Sequence, residues 1–324
     1  MRIGSILSNR PEPFRIYSLI SVVGWQKADH IISTRQPSSI ICTSFTIIMS
    51  TAAEAAAVDD SKAIKTMKLY THMDRIVNEL QALNIAPDAP LTVDILSQFD
   101  SLHYLGNTAI DHAIQACQIT SLSSSSSNQP YTVLDLGSGV GGTARYLADK
   151  TGCHVDALEL QPDLSVAGQE LTKRCGLSDK VQHLAGNVLE MDLPAAKYNA
   201  LVSFLVFLHI ADRTTLLQKC FGTLQSGATL YVEDFYQCNP FTAEEGQMLR
   251  DDVYVTQLPT WTDMTQQLEQ AGFVNITVKD MTGEWTTYVT ERTHAYKDNL
   301  TRHEQVHGKE GAQGLSHFYG VMSK

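Results

Sequence analysis

Short apolar segments that favour β-strands alternate with helical segments along the chain, and this alternation predicts an α/β fold. The β-rich segments lie at 132–136, 155–160, 181–185, 200–204, 229–234 and 274–280. Helical patterns fill the gaps at 143–150, 164–175, 213–223 and 261–271. The chain has 324 residues, 43% of them hydrophobic, which is enough to bury a large core. We therefore predict a doubly wound, mainly parallel sheet with helices on both faces.

Helical segments precede and follow this predicted core. Apolar residues recur at threes and fours from Val58 to Leu83, and further helices are expected over 91–98 and 108–119. A serine run at 123–127 reads as a surface loop, and the segment 284–307 is polar and helical. We divide the chain into an N-terminal extension (1–50), a helical lid segment with the serine-rich loop (51–129), the core (130–281) and a C-terminal helical tail (282–324).

The first 48 residues contain five basic residues, two acidic residues and many serines, a composition typical of an organelle transit peptide. An equally good interpretation is that Met49 is the natural start. The apolar run Ile16 to Val23 is too short to span a bilayer. We predict a cytoplasmic protein without a membrane span, with mitochondrion or plastid as the alternative if residues 1–48 are a transit peptide.

The formal net charge is −11, so the long-range field repels phosphate backbones. Nucleic acid is therefore an unfavourable partner. The six cysteines form no C-x-x-C pair, and we interpret them as reduced packing thiols.

A glycine loop follows the first core strand in VLDLGSGVGGTARYL. Gly137, Gly139 and Gly142 fit G-x-G-x-x-G, a pattern that lets the backbone approach a nucleotide cofactor. Glu159 ends the second core strand about 20 positions later, where an acid binds ribose hydroxyls. NAD and S-adenosylmethionine (SAM) both fit these residues.

Asp135 distinguishes between the two cofactors. A carboxylate just before the loop would repel the dianionic pyrophosphate of NAD. The methionine part of SAM instead carries an ammonium group, which a carboxylate attracts. The spacing D-x-G-x-G therefore favours SAM.

Residues 131–280 resemble the class I SAM-dependent methyltransferases, whose sheet is Rossmann-like. Besides the glycine loop, the resemblance rests on LAGNVLEMDLP, YNALVSFLVFLHI and LLQKCFGTLQSGATLYVEDF. Asn187 stands where that family usually has an acid that contacts the adenine amino group, and its side-chain oxygen can accept the same bond. The resemblance implies SAM as cofactor, bound by Asp135, Gly137, Ser138, Gly139, Gly141, Glu159, Leu160, Asn187, Val188 and Phe204.

Within that family the chain is most similar to small-molecule methyltransferases of the phosphoethanolamine, glycine/sarcosine and tocopherol type. The L-H and L-x-Q-K-C patterns place His209 on the catalytic histidine of the phosphoethanolamine enzymes, where it would act as general base. Leu205 replaces an aspartate usual there, and the sequence offers no evident basic cluster for a phosphate. The alternative for His209 is a packed, hydrogen-bonded and inert histidine.

Candidate acceptor-binding residues lie in the lid segment (His103 and Tyr104), at the end of the fifth core strand (Glu233, Asp234 and Tyr236) and near the turn at 258–260 (Tyr254). Strand residues alternate between faces, so we expect one of the two adjacent carboxylates to point into the pocket and attract a cationic amine. A capping role is the alternative. Class I methyltransferases usually end in an antiparallel seventh strand, and only HFYGVMSK remains to supply it, so we expect that strand to be short or absent.

The predicted function is methyl transfer from SAM to a small polar metabolite, with an amine nitrogen favoured. The N/D-P-P-Y motif of DNA and protein-amide methyltransferases is absent, and no carboxylate cluster for a catechol-type metal site can be assembled. Methylation of sulfur or carbon in a small or lipid-like substrate remains an alternative, as does a non-catalytic SAM-binding protein. HEQVH, residues 303–307, matches the zinc motif H-E-x-x-H. Because the sequence supplies no third ligand, we interpret it as a solvated helix and predict no metal.

Overall fold

A sheet of seven strands forms the centre of the protein. The computed structural model describes residues 17–24 by their backbone alone, and residues 74–122 and 129–322 in full. The strands are β1 (Tyr17–Gly24), β2 (Thr132–Leu136), β3 (His154–Glu159), β4 (Val181–Ala185), β5 (Tyr198–Phe204), β6 (Leu224–Tyr236) and β7 (Ile276–Asp280). Their order in the sheet is β4-β3-β2-β5-β6-β1-β7.

Five neighbouring strands, β4, β3, β2, β5 and β6, run parallel. Asp135 of β2 pairs with Ala157 of β3 on one side and with Val202 of β5 on the other. The predicted fold class is confirmed here. The strand start that differs most from the prediction is that of β6, which begins at Leu224 and not at residue 229.

The antiparallel edge of the sheet differs from the expectation. β1 pairs antiparallel with both β6 and β7. The strand that we expected to be short or absent at the C-terminus is therefore supplied by residues 17–24, which the sequence analysis had placed in an extension outside the fold. HFYGVMSK forms no strand in its described part, since residues 317–322 are helical.

Ten helices surround the sheet in the described part of the chain. They are α1 (Asp74–Ala82), α2 (Val93–Leu96), α3 (Asn107–Cys117), α4 (Gly142–Thr151), α5 (Pro162–Arg174), α6 (Arg213–Thr223), α7 (Ala243–Asp252), α8 (Trp261–Ala271), α9 (Thr282–Asp298) and α10 (Leu300–Met322). α10 is kinked at Gly308, which has φ 76°. Among the described residues, no helix is both long enough and apolar enough to cross a bilayer.

Most of these helices follow the predicted pattern, and α7 is the exception. Of the expected helix from Val58 to Leu83, only the last part falls within the described residues, as α1. α7 carries no strong apolar stripe but begins with a capping box between Thr242 and Glu245. The five described cysteines are all free, as expected, and Cys42 lies outside the described residues.

The sheet separates two hydrophobic clusters. One face packs on α3, α4 and Trp285 of α9. The other face packs on α6 and α8. Along β6, Tyr231 and Phe235 belong to the first cluster, whereas Val232 and Tyr236 belong to the second. This alternation decides which carboxylate of the pair after Val232 faces which side.

Candidate functional site

The glycine loop connects β2 to α4 and takes a backbone path that other residues would strain. Gly137, Gly139 and Gly141 have φ of 77°, 53° and 78°. A Cβ atom on Gly137 would lie 2.2 Å from Cγ2 of Val206, and one on Gly141 would lie 2.5 Å from Cε1 of His183. Glycine is therefore needed at 137 and 141 both for the positive φ and for space.

A cavity opens at this loop, beyond the carboxyl ends of β2 and β5. Three segments line it: the stretch before α3, the glycine loop with the start of α4, and the turn after β5. The lining residues are Asp100, Ser101, Leu102, His103, Asp135, Gly137, Ser138, Gly139, Val140, Gly142, Thr143, Phe204, Leu205 and Val206. Ligands of open α/β sheets bind in such a position.

Glu159 braces the loop from the end of β3. Its Oε2 accepts a hydrogen bond from the backbone N–H of Gly139 at 2.8 Å, and its Oε1 accepts one from Gln161 at 2.9 Å. Burial raises the pKa of this carboxyl, although the backbone N–H groups oppose the shift. Each carboxylate oxygen can accept more than one bond, so the predicted contact to ribose hydroxyls stays compatible with this bracing.

Asp135 is the least satisfied charged group of the cavity. The residue is 2% exposed, and its Oδ2 has no hydrogen-bond partner among the described residues. Burial and the nearby Glu159 raise the pKa of Asp135 to about 7, while a backbone hydrogen bond from Ala144 opposes the shift. A buried acid with an unused oxygen fits a cationic ligand group such as the ammonium of SAM.

Ser138 adds a second unused polar atom to the same cavity. Its hydroxyl is buried without a hydrogen-bond partner in the described part of the chain. Oδ1 of Asp100 is a third such atom in the same lining. Three unpaired polar atoms in one cavity indicate a polar ligand, because proteins rarely leave buried polar atoms unpaired.

Arg145, which the sequence analysis missed, fixes the lid segment to the glycine loop. This fully buried guanidinium donates to Asp100 Oδ2 at 2.9 Å and to the carbonyl oxygen of Val140 at 2.7 Å. Asp100 and Val140 both line the cavity. The sequence did contain an indication of this role, because Arg145 is a charged residue at a position of the predicted helix 143–150 that the apolar pattern assigns to the buried face.

The predicted adenine contacts lie past the ends of β3 and β4, outside the lining of this cavity. Val188 is buried, and Leu160 and Asn187 are half-buried. The side-chain oxygen of Asn187 accepts the backbone N–H of Leu189 at 3.0 Å, which closes a turn and leaves one lone pair on that oxygen. The adenine contact of Asn187 stays a prediction.

His103 and Tyr104 form the aromatic part of the lid. The ring of His103 stacks on Phe204 at 4.7 Å between centroids, and burial lowers the pKa of His103 to about 4, so this ring is neutral near pH 7. Tyr104 packs edge-on against Trp285 at 4.7 Å. These contacts hold the lid segment over the end of β5.

His209 lies in a short 3-10 turn, Phe207–His209, which directly follows the cavity-lining residue Val206. Its Nδ1 donates to the carbonyl oxygen of Tyr254 at 3.0 Å, so Nε2 is the acceptor nitrogen of the neutral ring. Burial lowers the pKa of His209. His209 is not among the residues that line the described cavity, although its neutral ring could accept a proton.

The two carboxylates at the end of β6 face opposite sides of the sheet. Asp234 accepts the backbone N–H of Leu208 at 3.1 Å and that of Phe235 at 2.7 Å, so it caps the turn that carries His209. Burial raises the pKa of Asp234 to about 6, and Arg213 opposes that shift. Tyr236, two residues further along β6 and on the same face as Asp234, packs edge-on against Trp261.

Glu233 is instead on the same face as Tyr231 and is paired in the sheet with Phe204, a cavity residue. Its Oε1 accepts the hydroxyl of Tyr231 at 2.7 Å, and its Oε2 is buried with no partner among the described residues. Burial raises the pKa of Glu233 to about 7. Of the two carboxylates, Glu233 is therefore the one with an oxygen that has no partner among the described residues, although, like His209, it is not among the residues that line the described cavity.

A second cavity, also missed from the sequence, adjoins the first and shares Leu102 and His103 with it. Its lining residues are Leu102, His103, Tyr104, Val289, Arg292, Phe318, Tyr319 and Met322. Arg292 donates to the Tyr288 hydroxyl at 2.6 Å and lies over the ring of Tyr319. Within the described ranges, no carboxylate lies within salt-bridge distance of Arg292, so its charge stays available.

Comparison with known proteins is consistent with this geometry. The profile of the family described as "Methyltransferase domain" matches residues 133–227. The sarcosine/dimethylglycine N-methyltransferase of Halorhodospira halochloris is 29% identical over 150 residues, which cover 46% of this chain and 54% of that protein. The probable chloroplastic tocopherol O-methyltransferase of Oryza sativa subsp. japonica is 26% identical over 168 residues, which cover 50% of this chain and 46% of that protein. The chain thus spans about half the length of these relatives.

A solved structure shares the fold. Phosphoethanolamine N-methyltransferase 2 of Haemonchus contortus, in complex with phosphomonomethylethanolamine and S-adenosylhomocysteine, superposes with a TM-score of 0.67 at 14% identity. The superposition covers 82% of this chain and 57% of that one. The resemblance to class I methyltransferases that the sequence predicted is confirmed.

Proposed function

We propose that the protein is a SAM-dependent methyltransferase. The observation that carries the proposal is the buried, unpaired Oδ2 of Asp135 beside a glycine loop that matches a methyltransferase domain. An NAD pyrophosphate would place negative charge against this carboxyl, whereas an ammonium group satisfies it.

The acceptor that we propose is a small polar metabolite with an amine nitrogen. Support comes from the aromatic lid, from the unused Oε2 of Glu233, and from relatives whose names include sarcosine and phosphoethanolamine N-methyltransferases. Arg292 in the adjoining cavity, which has no carboxylate partner among the described residues, can face an anionic group of such a metabolite. This basic residue was not evident from the sequence.

The bound cofactor would supply a methyl group on a sulfonium centre, which an amine lone pair attacks in line as the C–S bond breaks. The protein's part is to orient the amine, to exclude water and to take up a proton. Nε2 of His209 is the candidate proton acceptor, because Nδ1 is held by Tyr254 and the ring is neutral near pH 7. Phe204 and His103 close the site above the glycine loop.

Two alternatives have specific support. The first alternative is that the methyl group is transferred to an atom other than nitrogen, and it is supported by the tocopherol O-methyltransferase among the relatives. The absence of His209 from the lining of the described cavity favours a SAM-binding protein without turnover. Both alternatives keep SAM in the cavity at the glycine loop. They differ from the main proposal only in what happens to the methyl acceptor.

Calorimetric titration with SAM and with S-adenosylhomocysteine tests the cofactor. We expect binding of both ligands and none of NAD, and no binding of either adenosyl ligand would contradict the proposal. Incubation with methyl-labelled SAM and a metabolite extract then tests the reaction. Label in a small amine supports the proposed acceptor, and binding without any labelled product supports the scaffold alternative.

The proposed location is the cytoplasm, with mitochondrion or plastid as the alternative. A full-length fusion carrying a C-terminal fluorescent protein tests this placement. Fluorescence confined to an organelle, both for this fusion and for residues 1–48 fused alone to the fluorescent protein, would support the transit peptide instead. Deleting residues 1–48 is not a suitable test, because it also removes β1 from the sheet.

A further inference from the structure

Two histidines of α10 and one glutamate of α1 meet far from the glycine loop. His303 and His307 are four residues apart, so they project from one side of a helix. Glu79 joins them from α1, and one ligand atom from each of the three side chains lies within 4.8 Å of the others. The tertiary structure therefore supplies the third ligand that the H-E-x-x-H motif lacked in the sequence.

The cluster is held in place by its surroundings. Nε2 of His307 lies 2.9 Å from Oε1 of Glu79, and the His307 side chain is 5% exposed. The ring of His303 stacks on Tyr296 with centroids 4.0 Å apart and planes at 4°. The rings of His303 and His307 are nearly parallel, at 14°, with centroids 6.0 Å apart. Rigid, pre-oriented imidazoles are what a metal site requires.

The imidazoles also leave polar atoms unused. Nδ1 is buried without a partner in both His303 and His307, as judged over the described residues. The imidazole of His303 makes no hydrogen bond to any residue that the structure describes, whereas its backbone N–H donates to the carbonyl oxygen of Asn299. Buried polar atoms are normally paired, so these nitrogens point to a ligand.

Arg302 is the group that competes with a cation for Glu79. Its guanidinium donates to both carboxylate oxygens, at 3.0 and 2.6 Å. The Arg302 side chain is 45% exposed, so it can turn toward water. Oε2 of Glu79 has Arg302 as its one hydrogen-bond partner among the described residues and keeps a second lone pair, whereas Oε1 also faces Nε2 of His307. Arg302 therefore weakens cation binding at Glu79 and does not prevent it.

We propose that Glu79, His303 and His307 bind a zinc ion, with a water molecule as the fourth ligand. Two imidazoles and one carboxylate are a ligand set that zinc prefers. The ion would tie α1 to α10 and so hold the helices around the lid. Glu304, the glutamate of the motif itself, is not a member of the cluster and accepts a hydrogen bond from Gln313 at 3.0 Å.

Zinc titration of the full chain, in competition with a chromophoric chelator, tests the site. We expect one equivalent with a Kd of about 1 μM or below, and binding at least about 100-fold weaker in His303→Ala/His307→Ala. His294→Ala is the matched control, because His294 is exposed on α9 and lies outside the cluster. Equal zinc affinity in the wild type and the double variant would overturn the proposal, and unchanged SAM binding verifies that each variant is folded.

Arg302→Gln separates a metal site from a plain ion-pair network. Removing the competing charge should raise zinc affinity about tenfold, whereas Glu79→Gln should lower it. Saturating zinc should raise the Tm of the wild type by about 5 °C and leave the double-histidine variant unchanged. If Arg302→Gln only lowers the Tm and gains no affinity for zinc, the cluster is an ion-pair network and the proposal is wrong.

Discussion

Asp135 and Asp234 end two strands of the same sheet, and both are buried carboxyls whose pKa is raised by burial. They differ in how their oxygens are used. Asp234 accepts backbone N–H groups on both oxygens, so the fold itself satisfies it. Oδ2 of Asp135 has no partner in the described part of the chain. Burial alone therefore does not mark a ligand site, and an unused oxygen beside a cavity does.

The same contrast separates the two halves of the site. The cofactor half consists of the glycine loop, which Glu159 holds through a hydrogen bond to Gly139, and of Asp135 with its unpaired oxygen. The acceptor half consists of aromatic contacts and of groups, such as His209, whose polar atoms are partly engaged by the protein. The predictions below test that contrast, from the largest expected effect to the smallest.

Gly137→Ala should have the largest effect on the cofactor half. The new Cβ would lie 2.2 Å from Cγ2 of Val206 at a φ of 77°. We expect SAM affinity to fall more than about 100-fold, with a loss of about 1–3 kcal/mol in the free energy of unfolding. Calorimetry and denaturant titration measure both quantities.

Gly176→Ala is the matched control, because Gly176 has a similar φ of 69° and open space around its Cα. This control should lose stability without losing SAM affinity. Equal SAM affinity in Gly137→Ala and the wild type would mean that the cofactor does not use this loop.

His209→Ala tests the acceptor half. If Nε2 accepts the amine proton, turnover should fall about 100-fold while the Kd of SAM stays unchanged, because His209 does not line the described cavity. Steady-state rates over a range of pH give the measurement, and the variant should also lose the acidic limb of the pH profile. Full activity with only a lower Tm would leave His209 a packing role.

Asp135→Asn should weaken SAM binding about 10- to 100-fold, as expected when a charge-assisted contact of roughly 1.5–3 kcal/mol is lost. The change keeps the shape of the side chain, so calorimetry isolates the charge. Glu233→Gln is the control, since Glu233 is equally buried and also has an unused oxygen but lies on β6. That control should raise the KM for the acceptor and leave the SAM affinity intact. If both changes lower the affinity for SAM equally, the cofactor half and the acceptor half of the site are not separate.

The smallest predicted effect is a pH dependence of SAM affinity. The ammonium group needs ionised Asp135, whose pKa is raised to about 7 in the free protein. Affinity should therefore rise about tenfold from pH 6 to pH 8 with release of a proton, and fall again as the cofactor's own amine loses its proton. Calorimetry in buffers of different ionisation enthalpy detects that release. Asp135→Asn should show no acidic limb, and a flat wild-type profile would contradict the raised pKa.

The same shift has a consequence for stability. A carboxyl with a raised pKa favours its protonated form in the folded protein. In the free protein, Asp135 therefore costs stability increasingly as the pH rises from about 4 to about 7. Bound SAM should offset that cost above pH 7.

Much of the parallel sheet was predictable from the sequence. Residues 155–158 of β3 and 200–202 of β5 lie in mainly apolar segments that the sequence predicts as strands, and α6 and α8 begin and end at the predicted residues. Local periodicity and local turn chemistry set these elements, so a short window of sequence contains the information. Asp135 and the glycines were also predictable from a short stretch of sequence, because the carboxylate at the end of β2 and the glycine loop that follows it are adjacent in the chain.

The other features depend on contacts between distant parts of the chain. β1 fills the antiparallel position beside β6, more than 200 residues away along the chain. The contacts of Asp100 with Arg145 and of Glu79 with His307 likewise join residues that lie far apart along the chain. No local pattern specifies such partners, since many acids and bases could pair and only the packing of helices selects one.

By itself, the sequence determined three features: the alternation of strands and helices, the glycine loop, and the negative charge of Asp135 next to that loop. Each of these depends on residues that are neighbours in the chain. Only the tertiary structure decided that Asp234 is a cap while Glu233 keeps a free oxygen, that Arg292 lies in a cavity next to the lid, and that two histidines of the tail face a glutamate of α1. The reason is physical. Whether a buried polar atom is paired depends on what the fold packs against it, and that partner comes from elsewhere in the chain.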